Sequence, residues 1–464
     1  MSLRYRLLVG SLLLATGAVQ AAPKYVFYFI GDGMGSSQRQ VAEYYLQQQK
    51  QDPSLRLAMD SLPIAGITTT HSANSLVTDS AAAGTALAAG VKTDNGVVGQ
   101  LPDGTPVTTL LEQARDHGMK TGMITSTRLT HATPAAFFSK NPDRDDENGI
   151  ATDYLKANID YVAGGGYRHF VPKGGALKSK REDARDLVQE LKGEGYTTFV
   201  GEQASADFLH YSPKAGDKLF AAFSASHLPY ELDRGNATPS LAQLVGKGIE
   251  ALYQPKQDKG FFMVVEGGRI DHAGHAHDVT GNIDDTLALD SAIQQALAFY
   301  RQHPKETLLV VAADHETGGM GLGFGKNYFL KLDQLAGVKK SIEDETQKVY
   351  TGDRTAFYQW LTQDYGLSHL TDAEKQQIDK ALDVADSLKG AESGADWGGY
   401  DPAAIAVAHV ISERANIYWT TYAHTGVQVP LSAIGEDAAR FGGFKDNTEV
   451  AKTMAQVLNF KIGA

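Results

Sequence analysis

Short apolar runs alternate with longer amphipathic segments along this chain, and this alternation constrains the fold more than any other feature of the sequence. Runs such as YVFYFI and TLLVVAA are apolar throughout, which is typical of strands buried on both faces. Strands that alternate with helical patterns predict an α/β fold with a mostly parallel sheet. The predicted strands are 25–30, 121–125, 261–265 and 307–313, and the predicted helices are 36–50, 80–90, 108–117, 181–192, 239–253, 284–301 and 447–458.

Residues 326–400 depart from this pattern because they are charged and amphipathic. Gly-rich stretches, GGMGLGFG before and GADWGGYD after, bracket the segment and are typical of hinges. We therefore expect an inserted cap or crown subdomain at 326–400, within a catalytic α/β domain formed by 22–325 and 401–464. GLGFGK at 321–326 lacks the spacing of a nucleotide-binding loop, so a flexible hinge is the better interpretation. The helices predicted in the insertion are 341–349, 355–363 and 372–388.

The N-terminal residues 1–21 have the composition of a secretory signal peptide. Arg4 and Arg6 precede an apolar stretch, and Val19-x-Ala21 resembles a cleavage site. Since no other run of about 18 apolar residues follows, we expect a soluble protein that is exported to the periplasm or secreted, with no membrane partner.

Charge and cysteine content exclude several classes of function. The formal net charge is −12, and removal of the two signal-peptide arginines would make it −14, which argues against nucleic acid as a partner. The chain has no cysteine, so thiolate metal ligands and thiol nucleophiles are excluded. If the substrate is an anion, a local cationic site must attract it, and a bound metal would provide one.

The stretch VTDSAAAGTALAAG at 77–90 predicts a helix that begins at Asp79 and Ser80. Asp and Ser are favoured N-cap residues and alanine is the best helix former, so an ordinary capped helix is one interpretation. Alternatively, Ser80 lies where backbone N–H groups and the helix dipole attract an anion, and it could act as a nucleophile on that anion.

Potential metal ligands follow the predicted strands. In α/β sheets, ligands bind outside the carboxyl ends of the strands, so side chains that follow several strands are expected on one rim. Mixed histidine and carboxylate ligation suits Zn²⁺, Co²⁺ or Mn²⁺, whereas carboxylates with a hydroxyl suit Mg²⁺, and the candidates are too many for one ion. These candidates are Asp32, His131, Thr133, Glu266, Asp271, His275, Asp314, His315 and, near the end of the chain, His424.

The motifs together resemble the alkaline phosphatase family. They are GDGMG at 31–35, VTDSAAAGTALAAGVKT at 77–93, THATPAAF at 130–137, EGGRIDHAGH at 266–275, ADHETGG at 313–319 and AHTG at 423–426. The resemblance implies an α/β sandwich, with helices on both faces of a large central sheet, and a homodimer. It also implies two zinc ions and one magnesium ion in each chain.

The resemblance further assigns roles to individual residues. Arg144, thirteen residues after His131, has the spacing of the family's phosphate-clamping arginine. His131 and His272 occupy positions where the best-known bacterial members have an acid and a lysine, and together with Asp79 they are expected near the phosphate. The first zinc would bind Asp271, His275 and His424; the second would bind Asp32, Asp314 and His315 and contact Ser80; magnesium would bind Asp32, Thr133 and Glu266.

These assignments imply hydrolysis of phosphate monoesters through a phosphoserine on Ser80. Two zinc ions about 4 Å apart would stabilise the attacking and leaving oxygens of an in-line displacement. One alternative is a phosphodiesterase or another hydrolase of the same superfamily, although Thr133 and Glu266 favour the monoesterase. An alternative of another class is a periplasmic protein that binds metal or phosphate without turnover.

Overall fold

The computed structural model describes residues 22–256, 259–388 and 393–464. The predicted signal peptide at 1–21 lies outside the described residues. Within the described part of the chain, no helix is both long and apolar enough to cross a membrane.

A ten-stranded sheet forms the centre of the protein. Its strands, in spatial order, are β14, β2, β13, β8, β1, β7, β3, β4, β6 and β5. Neighbours are parallel except around β13, which is antiparallel to both β2 and β8. The strands are β1 Tyr25–Gly31, β2 Ile64–Thr68, β3 Lys120–Arg128, β4 Tyr161–Gly165, β5 Tyr196–Val200, β6 Lys218–Ala222, β7 Phe261–Gly267, β8 Thr307–Ala313, β13 Val429–Gly435 and β14 Gly443–Lys445. Four two-residue strands lie outside this sheet: β9 Glu316–Thr317, β10 Gly321–Leu322, β11 Ile417–Tyr418 and β12 His424–Thr425.

Helices cover both faces of the sheet, which confirms the predicted architecture. Successive residues of β1 enter two separate hydrophobic clusters, with Phe27 and Phe29 on one face and Val26 and Tyr28 on the other. The first cluster includes residues of α9, α11 and α14, and the second includes residues of α2, α3 and α15. The helices are α1 Ser36–Lys50, α2 Ser80–Ala89, α3 Leu110–Asp116, α4 Ala132–Ala135, α5 Glu147–Ala157, α6 Leu187–Gly193, α7 Ser205–His210, α8 Glu231–Arg234, α9 Leu241–Leu252, α10 Arg269–His275, α11 Val279–Gln302, α12 Arg354–Asp364, α13 Asp372–Leu388, α14 Pro402–Arg414 and α15 Asn447–Leu458.

The four predicted strands are confirmed, and the residues predicted for each of them are buried. Strands β1, β7 and β8 are adjacent and in register, with Tyr25 opposite both Phe261 and Thr307. Their carboxyl ends therefore meet at one rim of the sheet, as the sequence predicted. The six other strands of the sheet were not predicted, since most are short and less apolar.

Two predicted helices differ from the structure. The helix predicted at 341–349 is wrong, because this stretch contains only a 3₁₀ turn at Thr346–Lys348. The backbone N–H of Ile342 donates to Asp278 over 2.8 Å, and the Thr346 and Gln347 N–H groups donate to carbonyls five residues back instead of the four of an α-helix. The helix predicted at 181–192 begins only at Leu187, because Asp186 caps it by accepting from the Gln189 N–H.

The remaining predicted helices are confirmed with small differences at their ends. Helices α1 and α15 have the predicted bounds, while α11 begins five residues earlier than predicted, after its N-cap Asp278. Helices α12 and α13 confirm the helical pattern at 355–363 and 372–388. The division into a catalytic domain and an inserted subdomain at 326–400 stays a prediction. Apolar residues of the insertion, including Phe357 and Ile378, join the same buried cluster as α11 and α14.

Candidate active site

The carboxyl ends of β1, β7 and β8 bring the predicted ligands to one rim. Asp32 directly follows β1, and Asp314 and His315 directly follow β8. Glu266 lies in β7 opposite Ile30, one residue before the strand ends. The short helix α10 follows β7 and carries Asp271 and His275. His424 comes from the distant strand β12, which pairs with β9 just after His315.

Asp271, His275 and His424 form the first metal group, in which one ligand atom from each residue lies within 4.8 Å of the others. His275 Nδ1 donates to the Tyr422 carbonyl over 2.6 Å, and His424 Nδ1 donates to the Thr78 carbonyl over 2.8 Å. In its neutral form each ring therefore has an unprotonated Nε2, and these two nitrogens face each other at 3.2 Å. Two lone pairs so close to one another, each 3.4 Å from Asp271 Oδ1, fit a divalent cation.

Asp32, Asp314 and His315 form the second metal group and are completely buried. Asp32 Oδ1 and Asp314 Oδ2 are buried without a hydrogen-bond partner, although each lies 3.3 Å from His315 Nε2. Burial and repulsion from neighbouring carboxylates raise the pKa of Asp32 and of Asp314 well above the usual range. A buried pair of carboxylates requires positive charge, so this group also fits a divalent cation. Ser80 Oγ lies 3.1 Å from His315 Nε2.

Asp32, His131 and Glu266 form the third metal group. His131 Nδ1 lies 3.9 Å from Asp32 Oδ2 and 3.8 Å from Glu266 Oε1, and it has no hydrogen-bond partner. The Thr133 hydroxyl donates to Asp32 Oδ2 over 3.2 Å, so the predicted magnesium ligands Asp32, Thr133 and Glu266 do lie together. The geometry adds His131 to this group. A carboxylate in place of its imidazole would make the group a site of oxygen donors only.

Two threonines that the sequence analysis missed orient Glu266. Thr125 donates to Glu266 Oε2, and Thr127 donates to the same oxygen over 3.0 Å. The other carboxylate oxygen, Oε1, is left without a hydrogen-bond partner and is turned toward His131. The run TSTR at the end of β3 is the sequence signal, since hydroxyl side chains replace apolar ones there.

Ser80 is the first residue of α2, and Asp79 is its N-cap. Asp79 Oδ1 accepts from the Ala82 N–H over 2.9 Å, as the sequence predicted for a capped helix. Every residue of α2 is buried, which explains the run of small side chains. Asp79 Oδ2 also accepts from Arg144 Nη1 over 3.0 Å, and Arg144 Nη2 lies 3.4 Å from His131 Nε2.

His272 and His227 extend the site beyond the third metal group. The His272 ring lies 5.5 Å from the His131 ring and 4.2 Å from the His227 ring, measured between centroids. Arg269 Nη1 lies 2.9 Å from His272 Nδ1 and donates to it. Burial and neighbouring cations lower the pKa of His227 and of His272 well below the usual range, so both rings are neutral near pH 7. His227 lies in SASHLPY, outside every motif, and no sequence signal marked it.

Comparison with known proteins identifies the family. The model of the alkaline phosphatase family matches residues 23–460, nearly the whole described chain. The chain belongs to the alkaline phosphatase family. This is a family of phosphomonoester hydrolases, so the resemblance drawn from the motifs is confirmed, and the protein is an enzyme of the phosphomonoesterase class.

Relatives of known name span most of the chain. Alkaline phosphatase 3 of Bacillus subtilis is 32% identical over 447 residues, which are 95% of this chain and 90% of that protein. The repressible alkaline phosphatase of Saccharomyces cerevisiae is 31% identical over 479 residues, which are 95% of this chain and 82% of that protein. The alkaline phosphatases are therefore similar to this chain across its whole described length and not only at the motifs.

Solved alkaline phosphatases have the same fold. A cold-active enzyme from a psychrophilic Shewanella species matches with a TM-score of 0.79 and 30% identity, covering 94% of this chain and 99% of that one. The Thermus thermophilus enzyme matches with a TM-score of 0.81 and 29% identity, covering 95% and 92%. A variant of the alkaline phosphatase from the Antarctic bacterium TAB5, in which aspartate replaces a histidine, has magnesium bound in its M3 site. It matches with a TM-score of 0.64 and 25% identity, covering 95% of this chain and 99% of that one.

Proposed function

We propose that this alkaline phosphatase hydrolyses small phosphate monoesters of broad range through a phosphoserine on Ser80. The observation that carries this proposal is the distance of 3.1 Å between Ser80 Oγ and His315 Nε2. It places a buried serine at the start of a helix and beside two carboxylates that have unpartnered oxygens. A protein that only binds metal or phosphate would not need a hydroxyl at that position.

We infer that two zinc ions bind at the first and second metal groups and that one magnesium ion binds at the third. Imidazole and carboxylate ligands without sulfur suit zinc, and the hydroxyl of Thr133 adds the kind of oxygen donor that magnesium prefers. Asp32 belongs to both the second and the third groups and would bridge them. When bound, the ions supply positive charge that favours the ionised Ser80 hydroxyl and that stabilises the attacking and leaving oxygens.

In the proposed reaction, Ser80 Oγ attacks phosphorus and the bond from phosphorus to the ester oxygen breaks. The alcohol leaves with a proton, and water then cleaves the bond between Ser80 and phosphorus to release phosphate. Free backbone N–H groups in the first turn of α2 face the phosphate oxygens. Arg144 donates two parallel hydrogen bonds to the phosphate, and Asp79 holds the guanidinium in position. His272, near His131, is positioned to contact the phosphate from the side of the third metal group.

We further propose that the protein is exported, through residues 1–21, to the periplasm or the medium and that it works as a homodimer. The composition of the N-terminus supports export, and the family resemblance supports the dimer. Cell fractionation followed by N-terminal sequencing of the mature protein tests export, and analytical ultracentrifugation tests the dimer. A mature protein that still carries residues 1–21, or a chain that sediments as a monomer, would contradict these proposals.

Phosphate release from a chromogenic monoester tests the activity directly. We expect turnover by the zinc- and magnesium-loaded protein and a loss of at least about a thousandfold in Ser80→Ala. Ser205→Ala is a matched control, since Ser205 is also buried but lies in α7, away from the metal groups. Tight phosphate binding without turnover in the wild-type protein would favour the binding protein instead.

A further inference from the structure

The loop Trp419–Ala423 lies behind the first metal group and supports both of its histidines. The Tyr422 carbonyl accepts from His275 Nδ1, and His424 directly follows the loop. The loop has no regular secondary structure, but Gly318 binds it: the Thr420 N–H donates to the Gly318 carbonyl over 3.0 Å, and the Gly318 N–H donates to the Ala423 carbonyl over 2.9 Å. The position of the Tyr422 carbonyl therefore depends on what holds the middle of the loop.

His277 holds the middle of this loop from the other side. Its Nε2 lies 2.9 Å from the Thr421 carbonyl, and its ring stacks on Tyr422 at 4.1 Å and on Trp419 at 5.1 Å between centroids. Because a carbonyl only accepts, Nε2 carries the proton of the neutral ring, and Nδ1 accepts from His409 Nε2 at 2.9 Å.

Helix α14 anchors this arrangement to the core. His409 lies on α14, and so does Ser412, whose hydroxyl accepts from Trp419 Nε1 over 2.9 Å. His277 is 3% exposed and has a φ of 52°, a left-handed conformation that is uncommon for residues other than glycine. The surrounding structure keeps His277 in this conformation, in which its two ring nitrogens are hydrogen bonded to His409 and to the Thr421 carbonyl.

We propose that His277, fixed by His409, is a positioning residue for the first metal group. It holds the Thr421–Tyr422 peptide so that the Tyr422 carbonyl orients the His275 ring and keeps its Nε2 directed at the metal. This inference rests on the proposed zinc ion at Asp271, His275 and His424. Tyr422 contacts the metal ligand His275, and His277 in turn supports the peptide of Tyr422. Loss of such supporting contacts typically weakens metal binding by about 10- to 100-fold.

Zinc content, measured in the full-length protein at graded concentrations of free zinc, tests the proposal without relying on activity. His424→Ala identifies the zinc that belongs to the first group. We expect His277→Asn to weaken binding of this zinc about tenfold, with zinc at the second group unchanged. Asparagine tolerates the left-handed conformation, so the backbone is not strained by the substitution. Because the smaller side chain leaves space beside Tyr422 and Trp419, the melting temperature of the metal-free protein is expected to fall by a few degrees, and zinc content is therefore measured well below it.

Two further variants separate positioning from simple packing. His409→Gln keeps an N–H that can donate to His277 Nδ1, whereas His409→Leu removes it, so we expect His409→Gln to retain the first zinc better. His303→Asn is the control, since His303 also stacks on aromatic rings but lies beside Tyr25, at the opposite end of β1 from the metal groups. Its zinc affinity should equal that of the wild-type protein.

The outcomes distinguish this inference from the proposed function. Unchanged zinc affinity in His277→Asn, or equal affinities in His409→Gln and His409→Leu, would overturn the positioning role while leaving the proposed function intact. Equal zinc content in the wild-type protein and His424→Ala would show that the first metal group holds no zinc, which overturns both.

Discussion

Asp79 and Arg144 form an ion pair with 3.0 Å between Oδ2 and Nη1, and this contact fixes a guanidinium beside the N-terminus of α2. The same carboxylate caps the helix through its other oxygen. One side chain therefore couples the position of Ser80 to the position of the proposed phosphate clamp. Arg144 pairs with Asp79 and not with its sequence neighbours Asp143, Asp145 or Asp146, so it is not an ordinary charged residue of a solvated loop.

Replacement of Arg144 should lower the hydrolysis of monoesters more than that of diesters. A monoester offers two free charged oxygens, which a guanidinium can bind with parallel hydrogen bonds. Since a hydrogen bond to a charged group contributes roughly 1.5–3 kcal/mol, and water can replace part of the paired contact, Arg144→Ala should lower monoester kcat/KM by about one to two orders of magnitude. Diester hydrolysis should fall much less, and inhibition by phosphate should weaken in parallel. Arg144→Lys should lose less activity than Arg144→Ala but still fall below the wild-type protein, because an ammonium keeps the charge and cannot form the paired contact. Equal losses for both substrates would exclude the clamp.

Rapid quenching of turnover should trap phosphate on Ser80. We expect one phosphorylated peptide, containing Ser80, in the wild-type protein at low pH, and none in Ser80→Ala. The bound metals should remain in Ser80→Ala, because each metal group keeps three other ligand residues. Mass spectrometry of the quenched digest and metal analysis check the two expectations. Turnover with no phosphate on any serine would indicate direct attack by water.

Chelation should abolish both activity and part of the thermal stability. Ligands that bind only the native state stabilise it by mass action. Without cations, buried carboxylate oxygens of Asp32, Glu266 and Asp314 have no hydrogen-bond partner, which costs stability. Zinc together with magnesium should restore activity and the melting temperature. His424→Ala should lower the zinc content by about one ion per chain. Full activity in metal-free protein would contradict this assignment.

Replacement of His131 by aspartate should favour magnesium at the third metal group. The change adds a negative oxygen ligand beside Asp32 and Glu266, and hard cations such as Mg²⁺ prefer oxygen to imidazole nitrogen. We expect magnesium affinity, measured by calorimetric titration, to rise about tenfold, which corresponds to ~1.4 kcal/mol. His131→Asn is the matched control, because asparagine has the same size as aspartate but carries no charge. If both variants bind magnesium equally, the charge of the ligand is not the deciding factor.

Asp284 should make the free energy of unfolding fall as the pH rises from about 4 to about 7. Burial, followed by repulsion from Asp278 and Glu231, raises the pKa of Asp284 to about 7. The native state therefore binds a proton that the unfolded chain has already released above about pH 4, and stability is lost between about pH 4 and pH 7, above which both states are ionised. Asp284→Asn should stabilise the protein by ~1–2 kcal/mol at pH 8, after discounting for solvent screening, and by almost nothing at pH 4. Denaturant unfolding at both pH values measures this; a gain that is equal at both would contradict it.

The sequence predicted elements whose signals are local. Helix α15 has the predicted bounds because its apolar periodicity is regular and Asp446 and Glu449 form a capping box just where it begins. The strands that carry the metal groups could be recognised because strands buried on both faces are apolar throughout. The helix predicted at 341–349 is wrong for the opposite reason, since Asp278 lies more than sixty residues away and binds this segment.

By itself, the sequence determined the α/β class, the family and the residue types available for chemistry, because buried strands and compact motifs record these properties over short stretches. The family resemblance implied how the ligands divide into groups, but only the tertiary structure brings them together, since His424 reaches Asp271 through strand pairing across more than a hundred residues. It also added His227, Thr125 and Thr127 to the site and placed His277 behind the first metal group. These roles depend on distances between segments that are remote in the chain, and no local pattern of residues encodes such distances.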